Sequence, residues 1–188
     1  MIKLGKMILI TGGARSGKST YAEKLAKDFG EQVLYIATSI PFDDEMKYRI
    51  KKHREQRPAH WQTIEAYKNL DAQIESSVKG KDAVLLDCIT IMITNIMLEI
   101  NTDWDNITGD ISSRVEDKVK HEIQSLIEAG KNIDIPLIMV TNEIGMGIVP
   151  DNAMSRLFRD IAGRMNQMLA HASDEVYLCV SGIPVRIK

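Results

Sequence analysis

Residues 7–30 read MILITGGARSGKSTYAEKLAKDFG, and this stretch decides the fold. Met7 to Thr11 is a short apolar run of the kind that forms a buried strand, and the segment from Thr20 has helical character up to Gly30. Between them, Gly12, Gly13, Ala14, Arg15, Ser16, Gly17, Lys18 and Ser19 satisfy the pattern GxxxxGKS/T. A glycine-rich turn between a strand and a helix lets backbone N–H groups point inward around phosphate oxygens. Lys18 adds a point charge near the terminal phosphates, and Ser19 carries a hydroxyl suited to Mg²⁺. The stretch predicts a phosphate-binding loop (P-loop) in a nucleotide-triphosphate enzyme.

The rest of the chain fits an α/β domain around that loop. Apolar runs at Val33 to Thr38, Ala83 to Asp87, Leu137 to Thr141 and Val176 to Val180 alternate with segments of helical period, which predicts a mainly parallel sheet. Pro184 to Ile187 follows its neighbour so closely, through Ser181-Gly182, that it reads as an antiparallel edge partner. Two helices are strongly amphipathic, one over Ala153 to Ala170 with Asp151 and Asn152 as cap candidates, the other from Ile111 and ended by Gly130. From Ile89 to Ile100 the apolar residues Ile89, Met92, Ile93, Ile96, Met97 and Ile100 fall at i, i+3, i+4, i+7, i+8 and i+11. That dense face suits packing on the sheet or on another subunit.

A length of 188 residues with 44% apolar composition fits one domain. The 24 basic residues nearly cancel the 26 acidic ones, so nothing draws the chain as a whole to nucleic acid or anionic membrane. No apolar run reaches the length of a membrane span, and the N-terminus has no signal-peptide core, so the expected location is cytoplasmic. Cys88 and Cys179 lack metal or redox spacing and read as small core residues.

Three further features carry chemistry. Asp87 ends an apolar strand run, the arrangement of a Walker B acid that holds Mg²⁺; capping the helix that follows is the alternative role. Residues 43–57, DDEMKYRIKKHREQR, read as a helix stopped by Pro58, with His53 among Arg49, Lys51, Lys52, Arg54 and Arg57. This is either a solvated basic helix or a nucleophile site, since nearby cations disfavour imidazolium and also hold polyphosphate. Glu143, directly after the strand run 137–141, either orients an acceptor hydroxyl or a metal-bound water, or pairs with an arginine. His60, His121 and His171 read as ordinary histidines.

Taken together, GGARSGKS, YIATS, RIKKHREQRPAHW, LLDCIT, VTNEIGMGIVP, FRDIAGR and VSGIPVRIK resemble, in the same order, the bifunctional adenosylcobinamide kinase and adenosylcobinamide-phosphate guanylyltransferase family of cobalamin biosynthesis. Only the first six residues and the segment 100–130 look individual. The resemblance implies a single RecA-like domain that phosphorylates adenosylcobinamide with ATP or GTP. The same enzyme then joins GMP from GTP to adenosylcobinamide-phosphate, through a histidine carrying GMP. It places that histidine at His53, with Lys52 where some relatives have a second one. Nucleotide contacts fall by the same resemblance on Gly12 to Ser19, on Ala37, Thr38 and Ser39, on Arg54, Glu55, Gln56 and Arg57, and on Glu65 and Asp87. It further implies Mg²⁺ at Ser19 and Asp87 and a homotrimer. Two rival readings are a P-loop kinase without nucleotidyl transfer and a nucleotide-dependent switch. Against the switch, Thr141-Asn142-Glu143 is not an NKxD guanine element.

Overall fold

The computed structural model describes residues 5–40, 58–100 and 102–188. Along the chain the elements are β1 (Met7–Gly12), α1 (Lys18–Phe29), β2 (Val33–Ala37), β3 (Gln62–Glu65), α2 (Leu70–Ser77), β4 (Ala83–Asp87), α3 (Ile89–Leu98), α4 (Gly109–Asn132), β5 (Leu137–Val140), α5 (Ala153–Ala172), β6 (Glu175–Val180) and β7 (Ile183–Arg186). The strands form one seven-stranded sheet in the order β3-β2-β4-β5-β1-β6-β7. Every neighbouring pair is parallel except β6 and β7, which pair antiparallel as the short Ser181-Gly182 connection requires.

The central strands are buried on both faces, which is why they read as unbroken apolar runs rather than alternating ones. Successive β1 residues serve opposite layers. Met7 and Leu9 join Leu70, Ile93, Val119, Ile161 and other residues of α2 to α5, whereas Ile8 and Ile10 meet Ala22 and Ala26 of α1. Cap chemistry sets the helix starts: the Asn152 side chain accepts from Ser155 N–H at 2.8 Å, and that of Thr108 from Ile111 N–H at 3.4 Å.

The structure departs from the sequence reading at three places. Gly130 does not end its helix, because α4 continues to Asn132 and Gly130 is buried. A Cβ there would lie 2.7 Å from Leu137 Cδ2 and 3.1 Å from Met7 Sδ, so the glycine permits close helix-to-sheet approach instead. The apolar face of α3 is consumed by the chain's own core, with Ile89, Met92, Ile93 and Met97 fully buried, so it is not the oligomer surface considered for it. Finally, β3 and α2 carry no signal that the sequence reading used. The strand is an edge with three of four residues exposed, and the helix is a bare two turns.

Candidate functional site

The carboxyl ends of the parallel strands form one edge, and register places the expected residues along it. Ala37 lies opposite Glu65 on one side and Asp87 on the other, and Asp87 lies opposite Val140, the last residue of β5. On the far side of β5, Ile10 pairs with Val140, and the P-loop springs from the next residues. Neighbouring strands are about 4.8 Å apart, so β4 lies two spacings, roughly 10 Å, from the P-loop strand and β3 four spacings, roughly 19 Å. Gly12 to Ser19 thus occupy one end of the row, Asp87 the middle, and Ala37, Thr38 and Glu65 the other end. Glu65 was named by resemblance alone, and the unrecognised strand β3 sets this acid level with Ala37.

The P-loop is built for an anion. Gly17 precedes α1 with φ 89°, a left-handed conformation, and a Cβ on it would lie 2.9 Å from Gly182 Cα. The β6–β7 turn is thereby pressed onto the loop, and Gly182 N–H donates to the Ser16 carbonyl at 2.9 Å. Ser16 Oγ is buried without a hydrogen-bond partner among the described residues, an unsatisfied donor that a ligand oxygen could satisfy. Lys18, only 7% exposed, donates to the Gly13 carbonyl at 2.8 Å, which folds the ammonium into the loop. Burial draws its pKa below the ordinary lysine value, opposed by Cys88, Asp87 and Cys179 nearby.

Asp87 is not the cap of α3: that position belongs to Cys88, and Asp87 instead accepts a hydrogen bond from Tyr35 Oη at 3.2 Å. The Asp87-Cys88 peptide is cis. Behind it runs a buried polar chain. Thr38 Oγ1 donates to the Cys88 carbonyl and accepts from Cys88 N–H, both at 2.8 Å, and Asn95 Nδ2 donates to the Thr38 carbonyl at 2.6 Å. These bonds lock the ends of β2 and β4 together, so Thr38 has a positioning role that motif reading could not separate from nucleotide contact. Sequence reasoning also missed Thr90 and Asn166. Thr90 Oγ1 accepts from Asn142 Nδ2 at 2.6 Å, and Asn166 bridges Thr141 Oγ1 at 2.7 Å and the Asn142 carbonyl at 3.1 Å. Nothing in their own sequence neighbourhoods marks them; only the sheet order brings them together.

Cys88 and Cys179 are core residues as expected. Burial pushes the Cys88 thiol up to about 11, with Asp87 adding to the shift, and burial likewise raises Cys179. Native protein at neutral pH should therefore show no thiol reactive toward a disulfide reagent within minutes, and both thiols after denaturation. Rapid native labelling of either would contradict this packing. His60 pairs with Glu31 at 3.1 Å, while the adjacent Trp61 is buried and stacks on Tyr35, consistent with a structural histidine. His53, Arg54, Glu55, Gln56 and Arg57 lie outside the described residues.

Comparison with known proteins agrees with this architecture. A KaiC-like protein from the hyperthermophilic archaeon Pyrococcus horikoshii superposes with a TM-score of 0.51 over 93% of this chain and 70% of its own, at 14% identity, and so shares the RecA-like fold alone. The bifunctional adenosylcobalamin biosynthesis protein CobU of Escherichia coli is 51% identical over 97% of this chain and 99% of its own length. Its Salmonella typhimurium counterpart is 52% identical over the same shares. The CobP protein of Pseudomonas aeruginosa is 38% identical over 96% of each chain. The profile of the family described as cobinamide kinase / cobinamide phosphate guanyltransferase matches residues 8–187. The P-loop, the acid of β4 and this near-complete alignment agree: the chain belongs to the cobinamide kinase / cobinamide phosphate guanyltransferase family.

Proposed function

We propose that this protein phosphorylates the aminopropanol hydroxyl of adenosylcobinamide with ATP or GTP and then transfers GMP from GTP to the new phosphate. The products of the second step are adenosylcobinamide-GDP and pyrophosphate, in cobalamin biosynthesis. The observation that carries the reading is an intact phosphate cradle with Lys18 folded into it, in a chain aligned along nearly its whole length with bifunctional enzymes. The row from Gly12 to Glu65 suits a nucleoside triphosphate laid along the sheet edge, triphosphate at β1 and nucleoside toward β2 and β3. In the second step we assign His53 as the nucleophile that carries GMP. Incubation with adenosylcobinamide and either ATP or GTP should yield the phosphorylated corrinoid, and GTP should carry it on to adenosylcobinamide-GDP. No phosphorylated corrinoid with either nucleotide would reject the reading.

Mg²⁺ fits the donors present. Asp87 is a half-buried carboxylate at the strand end, and Ser19 follows Lys18 in the first turn of α1. The described residues contain no cluster of three or more His, Cys, Asp or Glu groups able to hold a metal ion. Mg²⁺ takes one or two protein oxygens and completes its shell with phosphates and water, so this sparse set suits it. Bound there with nucleotide, it would neutralise charge on the phosphates. Lys18 and the loop N–H groups then hold the terminal phosphates in line for attack.

The same reading includes a cytoplasmic location and a homotrimer. No helix among the described residues is long and apolar enough to cross a membrane. For assembly, β7 offers a surface: among the described residues it pairs only with β6, and Ile183, Val185 and Ile187 stand exposed at alternate positions along and just beyond it. Light scattering at micromolar concentration should give three times the chain mass, and Ile183→Lys with Val185→Lys should reduce it to one. A parent protein that is monomeric would reject the trimer, and a trimeric double variant would reject this surface.

A further inference from the structure

We infer that Glu143 is the general base of the kinase half-reaction and takes no part in guanylyl transfer. The inference rests on the two-step activity proposed above and assigns a distinct residue to one of its steps. Strand β5 lies between β1, which carries the P-loop, and β4, which ends in Asp87. Residues that follow β5 therefore open into the space between Lys18 and the metal-binding acid, where a γ-phosphoryl group and its acceptor must meet. Among the described residues, Glu143 is the carboxylate at that place. Its backbone N–H donates to the Gly12 carbonyl at 3.0 Å, which pins it to the first glycine of the P-loop.

Two other acids on this edge are badly placed for the task. Glu65 ends β3, four strand spacings or roughly 19 Å from β1, too far to reach a hydroxyl attacking a phosphate held by Lys18. Asp87 is two spacings away, accepts from Tyr35 Oη, and is the acid assigned to Mg²⁺. Glu143 is half-buried, and its Oε1 accepts from Gly145 N–H at 2.8 Å. Its other carboxylate oxygen has no hydrogen bond among the described residues, and no arginine pairs with it there, so it is free to accept a proton.

The support beneath it is rigid. Asn166 of α5 holds Thr141 Oγ1 at 2.7 Å and the Asn142 carbonyl at 3.1 Å, while Asn142 Nδ2 reaches Thr90 Oγ1 of α3 at 2.6 Å. Two helices thus fix the two residues before Glu143, the kind of support a precisely placed catalytic group needs.

The chemistry separates the half-reactions. The kinase acceptor is a neutral alcohol: as its oxygen bonds to the γ-phosphorus and the bond to the β-phosphate bridging oxygen breaks, its proton must leave. Glu143 receives that proton, and the nucleoside diphosphate leaves with the bridging electron pair. In guanylyl transfer the final acceptor is a phosphate oxygen that is already anionic and has no proton to give up. Of the two corrinoid acceptors, only the alcohol must be deprotonated.

Glu143→Gln keeps a carbonyl oxygen for Gly145 N–H but cannot accept the proton. Phosphorylation of adenosylcobinamide should fall at least about 100-fold in kcat with the KM for ATP unchanged. Guanylyl transfer to supplied adenosylcobinamide-phosphate should stay at the parental rate, which also reports that the variant is folded. Kinase activity near the parental value would overturn the assignment, and so would parallel loss of both activities. A parental enzyme unable to phosphorylate adenosylcobinamide would instead reject the functional reading on which the assignment rests.

Discussion

Lys18→Ala should abolish both activities together. The ammonium is folded into the cradle, 2.8 Å from the Gly13 carbonyl and only 7% exposed, whereas the loop's other cation, Arg15, is exposed. In phosphoryl transfer the protein contributes mostly positioning and charge stabilisation, and removing one such preorganised donor typically costs about 10²–10³ in rate. Guanylyl transfer begins with GTP, whose triphosphate needs the same cradle before its α-phosphorus can be attacked. Both rates, measured separately with adenosylcobinamide and with adenosylcobinamide-phosphate, should drop by at least that factor. A thermal melt near the parental one would show that the loop, not the fold, was lost. Normal guanylyl transfer in this variant would mean that the second nucleotide binds elsewhere, and the shared edge would be wrong.

Much of the architecture was legible because the central strands are buried on both faces. Burial on both sides forces unbroken apolar runs such as Ala83 to Leu86, and these stand out without tertiary information. The P-loop was legible for another reason: a turn that wraps phosphate needs glycines, a lysine and a hydroxyl at fixed spacing. The edge strand β3 obeys neither rule. Gln62 and Thr63 face solvent, only Ile64 packs on the core, and the pattern is indistinguishable from loop. Glu65 could be named only by resemblance for the same reason. Gly130 misled because a glycine that stops a helix and one that lets it approach a sheet look alike until Leu137 is placed beside it.

The site divides along a similar line. Residues that bind through local backbone geometry announced themselves, whereas those that act by joining distant strand ends did not. Thr90, Asn142 and Asn166 are far apart in sequence and meet only because β5 is inserted between β1 and β4. That insertion is a property of strand order, which a pattern of apolar runs does not encode. It also gives Glu143 a use that its place after a strand merely permitted.

His53→Asn should lose guanylyl transfer while keeping most of the kinase activity. The proposed nucleophile is a neutral imidazole nitrogen that attacks the α-phosphorus of GTP, expels pyrophosphate and holds GMP as a phosphoramidate. Transfer of that GMP to the corrinoid phosphate then frees the ring. Asparagine preserves polarity but offers no such nitrogen, so formation of adenosylcobinamide-GDP should fall to background. The γ-phosphoryl transfer needs no histidine adduct, and its rate should remain within an order of magnitude of the parent. In the parent, α-labelled GTP should leave label on denatured protein that survives alkali and is released by acid. Labelling should decline as pH falls and the ring protonates, because the imidazolium has no lone pair to attack with. With Lys18→Ala losing both reactions and Glu143→Gln the kinase alone, this variant supplies the third pattern, loss of guanylyl transfer alone. A His53→Asn protein that still makes adenosylcobinamide-GDP at the parental rate would reject the covalent route and leave residues 43–57 an electrostatic role only.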